Sequence, residues 1–265
     1  MFKQKKIYSL ILASSRKNSN LFNINKAFLK LKDKYLIQYI LDAFNIAKLN
    51  ENLYISLRKE EEKIFQNNIK DFFNYKTFFA DYDFAVQTVI NFSEVLEFDD
   101  ELLISSCDNV FLTSSALKEF SENINAELTF GFVKADENLF QKFPELKRLR
   151  SWYRINNQTY ISGANLFYLK KSVNKNLEKL ACNWEKNRKS MNLFFFKQII
   201  KTMNFKLLLD FILGKMTLNQ CNDFLTNIFQ IKTEIKILNE ALLCLDIDKP
   251  LDLIIAEKII KLRKN

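Results

Sequence analysis

Lys6-Ile-Tyr-Ser-Leu-Ile-Leu-Ala13 is a short apolar run that ends abruptly in the polar segment Ser14 to Asn20. Such a run predicts a buried strand that delivers a loop. Shortly after it, Tyr35-Leu-Ile-Gln-Tyr-Ile-Leu-Asp-Ala-Phe44 repeats Leu36, Ile37, Ile40, Leu41 and Phe44 at intervals of three and four, the spacing of one helical face. The alternation goes on: Leu53 to Leu57 reads as strand, Glu60 to Phe73 as helix, Lys76 to Phe79 as a short strand and Val86 to Leu96 as helix. Glu101-Leu-Leu-Ile-Ser-Ser-Cys107 is the next apolar run, and it stops at Asp108. Strands alternating with helices predict an α/β protein with a parallel-rich sheet covered on both faces. In such sheets ligands bind beyond the carboxyl ends of the strands.

Farther along, Glu127 to Val133 reads as strand, regularity weakens over Lys134 to Tyr153, and Thr159 to Leu169 reads as strand and turn around Gly163. From Ser172 to Phe229 the pattern is mainly helical, which suggests a helical subdomain or lid over 172–232 within one domain spanning 1–265. Glu240 to Asp246 is expected as an edge strand. Leu251 to Leu262 is expected as an amphipathic helix after Pro250, a residue suited to a first helical turn. There is no internal repeat.

The 265 residues are 48% hydrophobic and 27% charged, enough to bury a full core. Three glycines and two prolines exclude collagen-like and linker-rich classes, and 26 phenylalanines predict an aromatic-heavy interior. The formal charge is +9, and residues 1–34 carry nine basic side chains against Asp33 alone, so +8 of it lies there. That sign suits nucleic acid, an anionic membrane surface or phosphorylated ligands. RNA binding would use the basic N-terminus, but there is neither an RNA-binding motif nor a basic stripe elsewhere. Cys107, Cys182, Cys221 and Cys244 form no CxxC pair and follow no signal peptide, so a reduced cytoplasm is the expected home. No stretch reaches the ~20 apolar residues that a membrane span requires. The chain has no histidine, which removes the commonest general base and transition-metal ligand.

Three stretches can carry chemistry. Leu10-Ile-Leu-Ala-Ser-Ser-Arg-Lys-Asn-Ser-Asn20, with Lys26 after it, can cradle a triphosphate through backbone N–H groups and a point charge. It reads equally as a basic solvated loop. Asp108 ends a buried strand, where one oxygen can hold Mg²⁺ while substrate phosphates supply other ligands. Asp108 alternatively caps the following turn, with Thr113 capping a helix from Ser114. Asp246 and Asp248 point the same way if extended and can approach one metal. Asp248 alternatively caps the helix at Pro250, and Asp252 suits a first helical turn. The Arg188-Lys189 pair and Phe194 to Phe196 can cover an acceptor, or the phenylalanines form plain core, and Trp152 either stacks on a base or packs inside.

Taken together and in order, these pieces resemble the molybdenum-cofactor guanylyl- and cytidylyltransferases, the MobA-like NTP transferases. The matching segments are Leu12-Ala-Ser-Ser15, Lys26-Ala-Phe-Leu29, Cys107-Asp-Asn-Val-Phe-Leu-Thr113 and Asp246-Ile-Asp-Lys-Pro-Leu-Asp-Leu253. Phe143-Pro-Glu-Leu-Lys-Arg148, Ile161-Ser-Gly-Ala-Asn-Leu-Phe167 and Asn187-Arg-Lys-Ser190 resemble a poorly characterised bacterial branch of that family.

The resemblance implies a Rossmann-like, three-layer nucleotide-diphospho-sugar transferase fold, with a mostly parallel mixed sheet and a helical C-terminal insertion. It implies a Mg²⁺-dependent transfer of a nucleoside monophosphate from a nucleoside triphosphate to a small-molecule acceptor, with loss of pyrophosphate. Lys26, Asp108 and Arg16 are the implied catalytic residues. Leu12, Ala13, Ser14, Ser15, Lys17, Lys26 and Asn91 are assigned to the nucleotide, Asp108 and Asp248 to the metal, and Asn165, Arg188 and Lys189 to the acceptor side. Neither nucleic acid nor a membrane is expected as a partner, and a homodimer is possible. A histidine-free site favours a phosphorylated acceptor, already ionised and needing no general base. The sequence departs from the family where its loop glycines become Ser14 and Ser15, its proline becomes Val110 and Gly-Gly-Asn becomes Gly163-Ala164-Asn165. The serines favour the alternative of a nucleotide sensor without turnover.

Overall fold

The computed structural model describes residues 6–14, 24–69, 73–80, 85–97, 99–135, 137–170 and 205–264. The opening apolar run forms β1 (Ile7–Leu12), then a 3₁₀ turn at Lys26–Phe28 and a small β2/β3 pair (Lys30–Leu31 and Lys34–Tyr35) lead into α1 (Leu36–Ala47). Next come β4 (Leu53–Leu57), α2 (Glu62–Ile69), β5 (Lys76–Phe79), α3 (Ala85–Ser93), β6 (Glu101–Ser106) and α4 (Ser114–Ser121). They are followed by β7 (Leu128–Lys134), two short helices α5 (Glu137–Lys142) and α6 (Glu145–Leu149), β8 (Tyr153–Ile155) and β9 (Thr159–Lys170). The described chain closes with α7 (Phe205–Ile212), α8 (Leu218–Phe229), β10 (Thr233–Leu238), a 3₁₀ turn at Ala241–Cys244 and α9 (Pro250–Lys264).

The main sheet runs β10-β7-β9-β6-β1-β4-β5, with β8 added on β9. β1 pairs parallel with β4 and β6, as do β4 with β5 and β7 with β10, whereas β9 runs antiparallel to β6, β7 and β8. This is the mostly parallel mixed sheet expected. β1 lies between two parallel neighbours and is covered on both faces, which explains why its sequence is a continuous apolar run. Successive side chains take opposite sides. Ile11, Ile55 and Leu103 face α1 and α4 through Ile37, Leu41, Phe44, Leu117 and Phe120, while Leu10, Leu102 and Ile104 share the other core with Phe92 of α3. A third cluster seats Ile255, Ala256 and Ile259 of α9 against Leu29, Leu31, Val110, Phe111 and Ile247. It gathers the loops that leave the carboxyl edge.

Two expectations need correction. No turn interrupts Thr159–Lys170, which is one strand. Between the Phe130–Phe167 and Phe132–Gly163 pairs β9 takes four steps against two on β7, so the irregularity is a bulge, and Asn165 adopts φ 51° within it. Asn tolerates this region better than most side chains do. The edge strand is Thr233–Leu238, not Glu240 to Asp246. Leu242, Leu243, Cys244 and Leu245 are all buried, so this stretch has the continuous apolar look of a strand while forming a 3₁₀ turn. Of the helical region over 172–232, α7 and α8 are described, and residues 171–204 lie outside the described residues.

Gly131 on β7 is required by close approach. A Cβ there would lie 3.0 Å from Leu166 Cβ and 3.3 Å from a Phe120 ring carbon, whereas a Cβ on Gly163 would meet nothing within 4 Å. Gly131→Val is therefore expected to cost about 1–3 kcal/mol through overpacking, and Gly163→Ala to leave stability unchanged or slightly raised. Urea denaturation of both variants checks this, and equal effects would contradict it.

Candidate active site

The tips of β1 and β6 stay joined one residue past the strands, because the Cys107 N–H donates to the Leu12 carbonyl at 3.1 Å. Ala13 and Asp108 thus emerge side by side at the carboxyl edge. Ala13 is also tied to β4 through the Ser56 carbonyl (3.3 Å) and the Ser56 hydroxyl (3.2 Å). Asn25 then pins the returning chain: its amide donates to the Ala13 carbonyl (2.7 Å) and to Glu61 (2.8 Å), while its oxygen accepts from the Ala27 N–H (2.8 Å). That fixes the turn bearing Lys26. The Lys26 ammonium reaches across to Asp108 Oδ2 at 3.1 Å and to Asp248 Oδ1.

Among the described residues, Asp108, Asp246 and Asp248 each place a carboxylate oxygen within 4.8 Å of the others. The loop that carries the last two is built by charge. Arg150 donates to Asp246 Oδ1 at 2.8 Å and to the Asp246 carbonyl, and its guanidinium lies 3.3 Å from Asp252 Oδ1. Asp252 in turn accepts from the N–H groups of Asp248 (2.9 Å) and Lys249 (2.8 Å), which satisfies the start of α9. Asn165, aimed by the β9 bulge, donates to Asp246 Oδ2 at 3.0 Å. Asp108 retains one oxygen, Oδ1, that is buried without a hydrogen-bond partner among the described residues.

These contacts set the ionisation. Burial pulls the Lys26 ammonium down, but Asp108 and Asp248 outweigh it and hold its pKa well above the ordinary value. Burial also lifts the Asp246 carboxyl, helped by Asp108 and Asp248 and opposed by Arg150, to about 6. Burial would raise Asp248 too, yet its hydrogen bond to Lys26 and the Lys26 charge bring it below the ordinary carboxylate range. The Cys107 thiol is pushed far up by burial and by Asp108, so it is no nucleophile. Three carboxylate oxygens and no nitrogen or sulfur donor suit a hard divalent cation such as Mg²⁺.

The structure therefore brings together Lys26, Asp108, Asp248 and Asn165, with Leu12 and Ala13 beside them. Ser14 is half-buried next to this group and is not among the residues with positive φ, so its backbone needs no glycine. Asn91 is not brought there. It lies in the last turn of α3, which leads back to the amino end of β6, and its amide oxygen accepts from Gln87 at 2.9 Å. Ser15, Arg16, Lys17, Arg188 and Lys189 lie outside the described residues, as do Phe194 to Phe196. Trp152 packs edge-on against Phe140 with centroids 4.9 Å apart and donates to the Leu146 carbonyl at 3.3 Å. Thr113 caps α4 by accepting from the Ala116 N–H at 3.1 Å, as expected. Arg150 and Asn25 were not found from sequence. The available signal for Arg150 was charge alone: Asp246, Asp248 and Asp252 stand close together in sequence and need a cation from elsewhere.

No protein-family model matches this chain, and no curated protein matches it. Solved structures do. A hypothetical transferase from Thermus thermophilus superimposes with a TM-score of 0.72 at 19% identity, covering 94% of this chain and all of that one. The 4-diphosphocytidyl-2C-methyl-D-erythritol synthase of Anaerococcus prevotii gives 0.61 at 11% identity over 97% of this chain and 99% of that one. A CMP:2-keto-3-deoxy-manno-octonic acid synthetase solved with CTP gives 0.57 at 11% identity over 98% and 100%. The mixed, mostly parallel sheet with its flanking helices is the nucleotide-diphospho-sugar transferase fold.

Arg150 and Lys34 test the ionic account. The Arg150 side chain is 10% exposed between two carboxylates, so Arg150→Met should cost about 3–5 kcal/mol by stranding them. Lys34→Met, which breaks an ion pair with Asp42 whose side chains are 51% and 37% exposed, should cost less than about 1 kcal/mol. Chemical denaturation separates the two, and a comparable loss in both would refute the assignment of Arg150.

Proposed function

We propose that the chain is a nucleotidyltransferase of the MobA-like kind that moves a nucleoside monophosphate from a nucleoside triphosphate to a phosphorylated small-molecule acceptor. The observation that carries this reading is the meeting of Lys26, Asp108 and Asp248 beside the tip of β1, at the carboxyl edge where such sheets bind ligands. Two of the structural neighbours bear names of cytidylyl chemistry, and one was solved with CTP, which makes CTP the first nucleotide to try.

Asp108 and Asp248 are the residues that would hold Mg²⁺, and bound there it would neutralise phosphate charge and orient the triphosphate. Asp246 has one oxygen on Arg150 and the other on Asn165, so it contributes charge and keeps the loop in place. In the transfer, an acceptor phosphate oxygen bonds to the α-phosphorus while the bond to the bridging oxygen breaks, and its electron pair leaves with pyrophosphate. Proton removal is not required, in keeping with a chain that has no histidine. Lys26, with Arg16 and Lys17 of the basic N-terminal segment, holds the triphosphate, and Asn165, with Arg188 and Lys189, faces the acceptor. Catalysis then rests on position and electrostatics, as in phosphoryl transfer generally.

The experiment is a panel of the four nucleoside triphosphates with Mg²⁺, read first as thermal stabilisation and then as pyrophosphate release with phosphorylated acceptors. Release should stop on addition of EDTA. Lys26→Ala and Asp108→Asn should each lower kcat/KM by roughly 10²–10³ or more, as loss of a charge-stabilising group does, while circular dichroism still reports the fold. Wild-type turnover in either variant removes that residue from the site. Binding without release from any triphosphate would identify a sensor instead.

A further inference from the structure

Lys26 occupies the two carboxylate oxygens that a cation would otherwise claim, Asp108 Oδ2 at 3.1 Å and Asp248 Oδ1. Resting on the nucleotidyltransferase reading, we propose that Lys26 makes this pair selective for a divalent cation that arrives with a polyphosphate chain, and resistant to the free ion.

A free cation entering the pair meets the ammonium directly. Asp246 is already engaged, with Oδ1 on Arg150 and Oδ2 on Asn165, so it competes less well for the ion than Asp108 and Asp248 do. Arg150 is tied to Asp246 and Asp252 at once, so it stays. The site is nonetheless not saturated by lysine, since Asp108 Oδ1 remains buried without a hydrogen-bond partner among the described residues, and Asp108 as a whole is only 8% exposed. A cation with several oxygen ligands can use what the ammonium leaves.

Lys26 is able to withdraw. Its backbone is fixed by Asn25, but its side chain is flexible and 28% exposed. It leaves two carboxylates only for another anion, and a polyphosphate supplies one. Exchange of partners then couples the two ligands: the phosphate chain draws Lys26 off and the cation takes its place. Such coupling is reciprocal, and coupling between sites typically amounts to about 5–150-fold.

Mn²⁺ is the probe, followed by its paramagnetic resonance as it is titrated into the protein without nucleotide. Lys26→Met should bind Mn²⁺ at least about tenfold more tightly than the unmodified chain, within that range. Adding Asp108→Asn to Lys26→Met should abolish the gain. No tightening in Lys26→Met, or a gain that survives the Asp108 change, overturns the proposal. If Lys26→Met does not fold, the unmodified protein decides: MnCl₂ alone should leave its melting temperature unmoved, and MnCl₂ with inorganic tripolyphosphate should raise it. Stabilisation by MnCl₂ alone, or none from the mixture, overturns the proposal equally. Pyrophosphate release is a separate readout. A chain that exchanges Lys26 for Mn²⁺ yet releases no pyrophosphate loses the transferase reading and keeps this one, and the converse result does the reverse.

Discussion

Asp108, Asp246 and Asp248 crowd oxygens into 4.8 Å, and like charges about 4 Å apart repel by roughly 4 kcal/mol even at an effective dielectric constant of 20. The arrangement stands only because cations reach it from two sides. Lys26 comes from the connection between β1 and β2, and Arg150 from just beyond α6. The same contacts join four chain segments: the turn after β1, the tip of β6, the end of α6 and the entry to α9. The apolar cluster of Leu29, Phe111, Ile247 and Ile255 lies under those segments and brings them close enough for the charges to meet. Packing assembles the edge, and ion pairs set its detail.

Most of the sheet was legible because its signals are local. β1, β4 and β6 are apolar runs with polar ends, and α1 shows one apolar face, since burial on both sides or one side writes directly into spacing. Asp108 was legible for the same reason: it directly follows such a run. The failures are tertiary. The β9 bulge lies where Leu166 approaches Gly131 of β7, a fit between strands distant in sequence that no local spacing encodes. The Ala241–Cys244 turn looked like a strand because Leu242 to Leu245 are all buried in succession, leaving no period to read. Arg150 lies 96 residues from the aspartate whose carbonyl it contacts, and no local pattern encodes that.

The solved structures that share this fold are 11–19% identical to this chain over nearly its whole length, so the same architecture is compatible with very different side chains. A fold of this kind accommodates many reactions, and the reaction must be argued from groups at the edge. Ser14 bears on that argument. Ser14 does not adopt a positive φ, so the backbone follows its path there without a glycine.

The two cations of the cluster differ in a way that separates support from chemistry. Arg150 is a planar fork, 10% exposed, with its donors divided among the Asp246 carboxylate, the Asp246 carbonyl and Asp252. Moving it would break several directional bonds together and strand the 2%-exposed side chain of Asp252. Lys26 is a point charge on a flexible stem, 28% exposed, paired on one side with Asp248, whose own side chain is 52% exposed. An ammonium can trade one oxygen anion for another with little loss of geometry. A guanidinium fork cannot. If the positions carried the opposite residues, the loop would lose its brace and the exchangeable counter-ion would be locked in place. The assignment of arginine to the buried side and lysine to the open side is what lets a rigid edge hold a mobile charge.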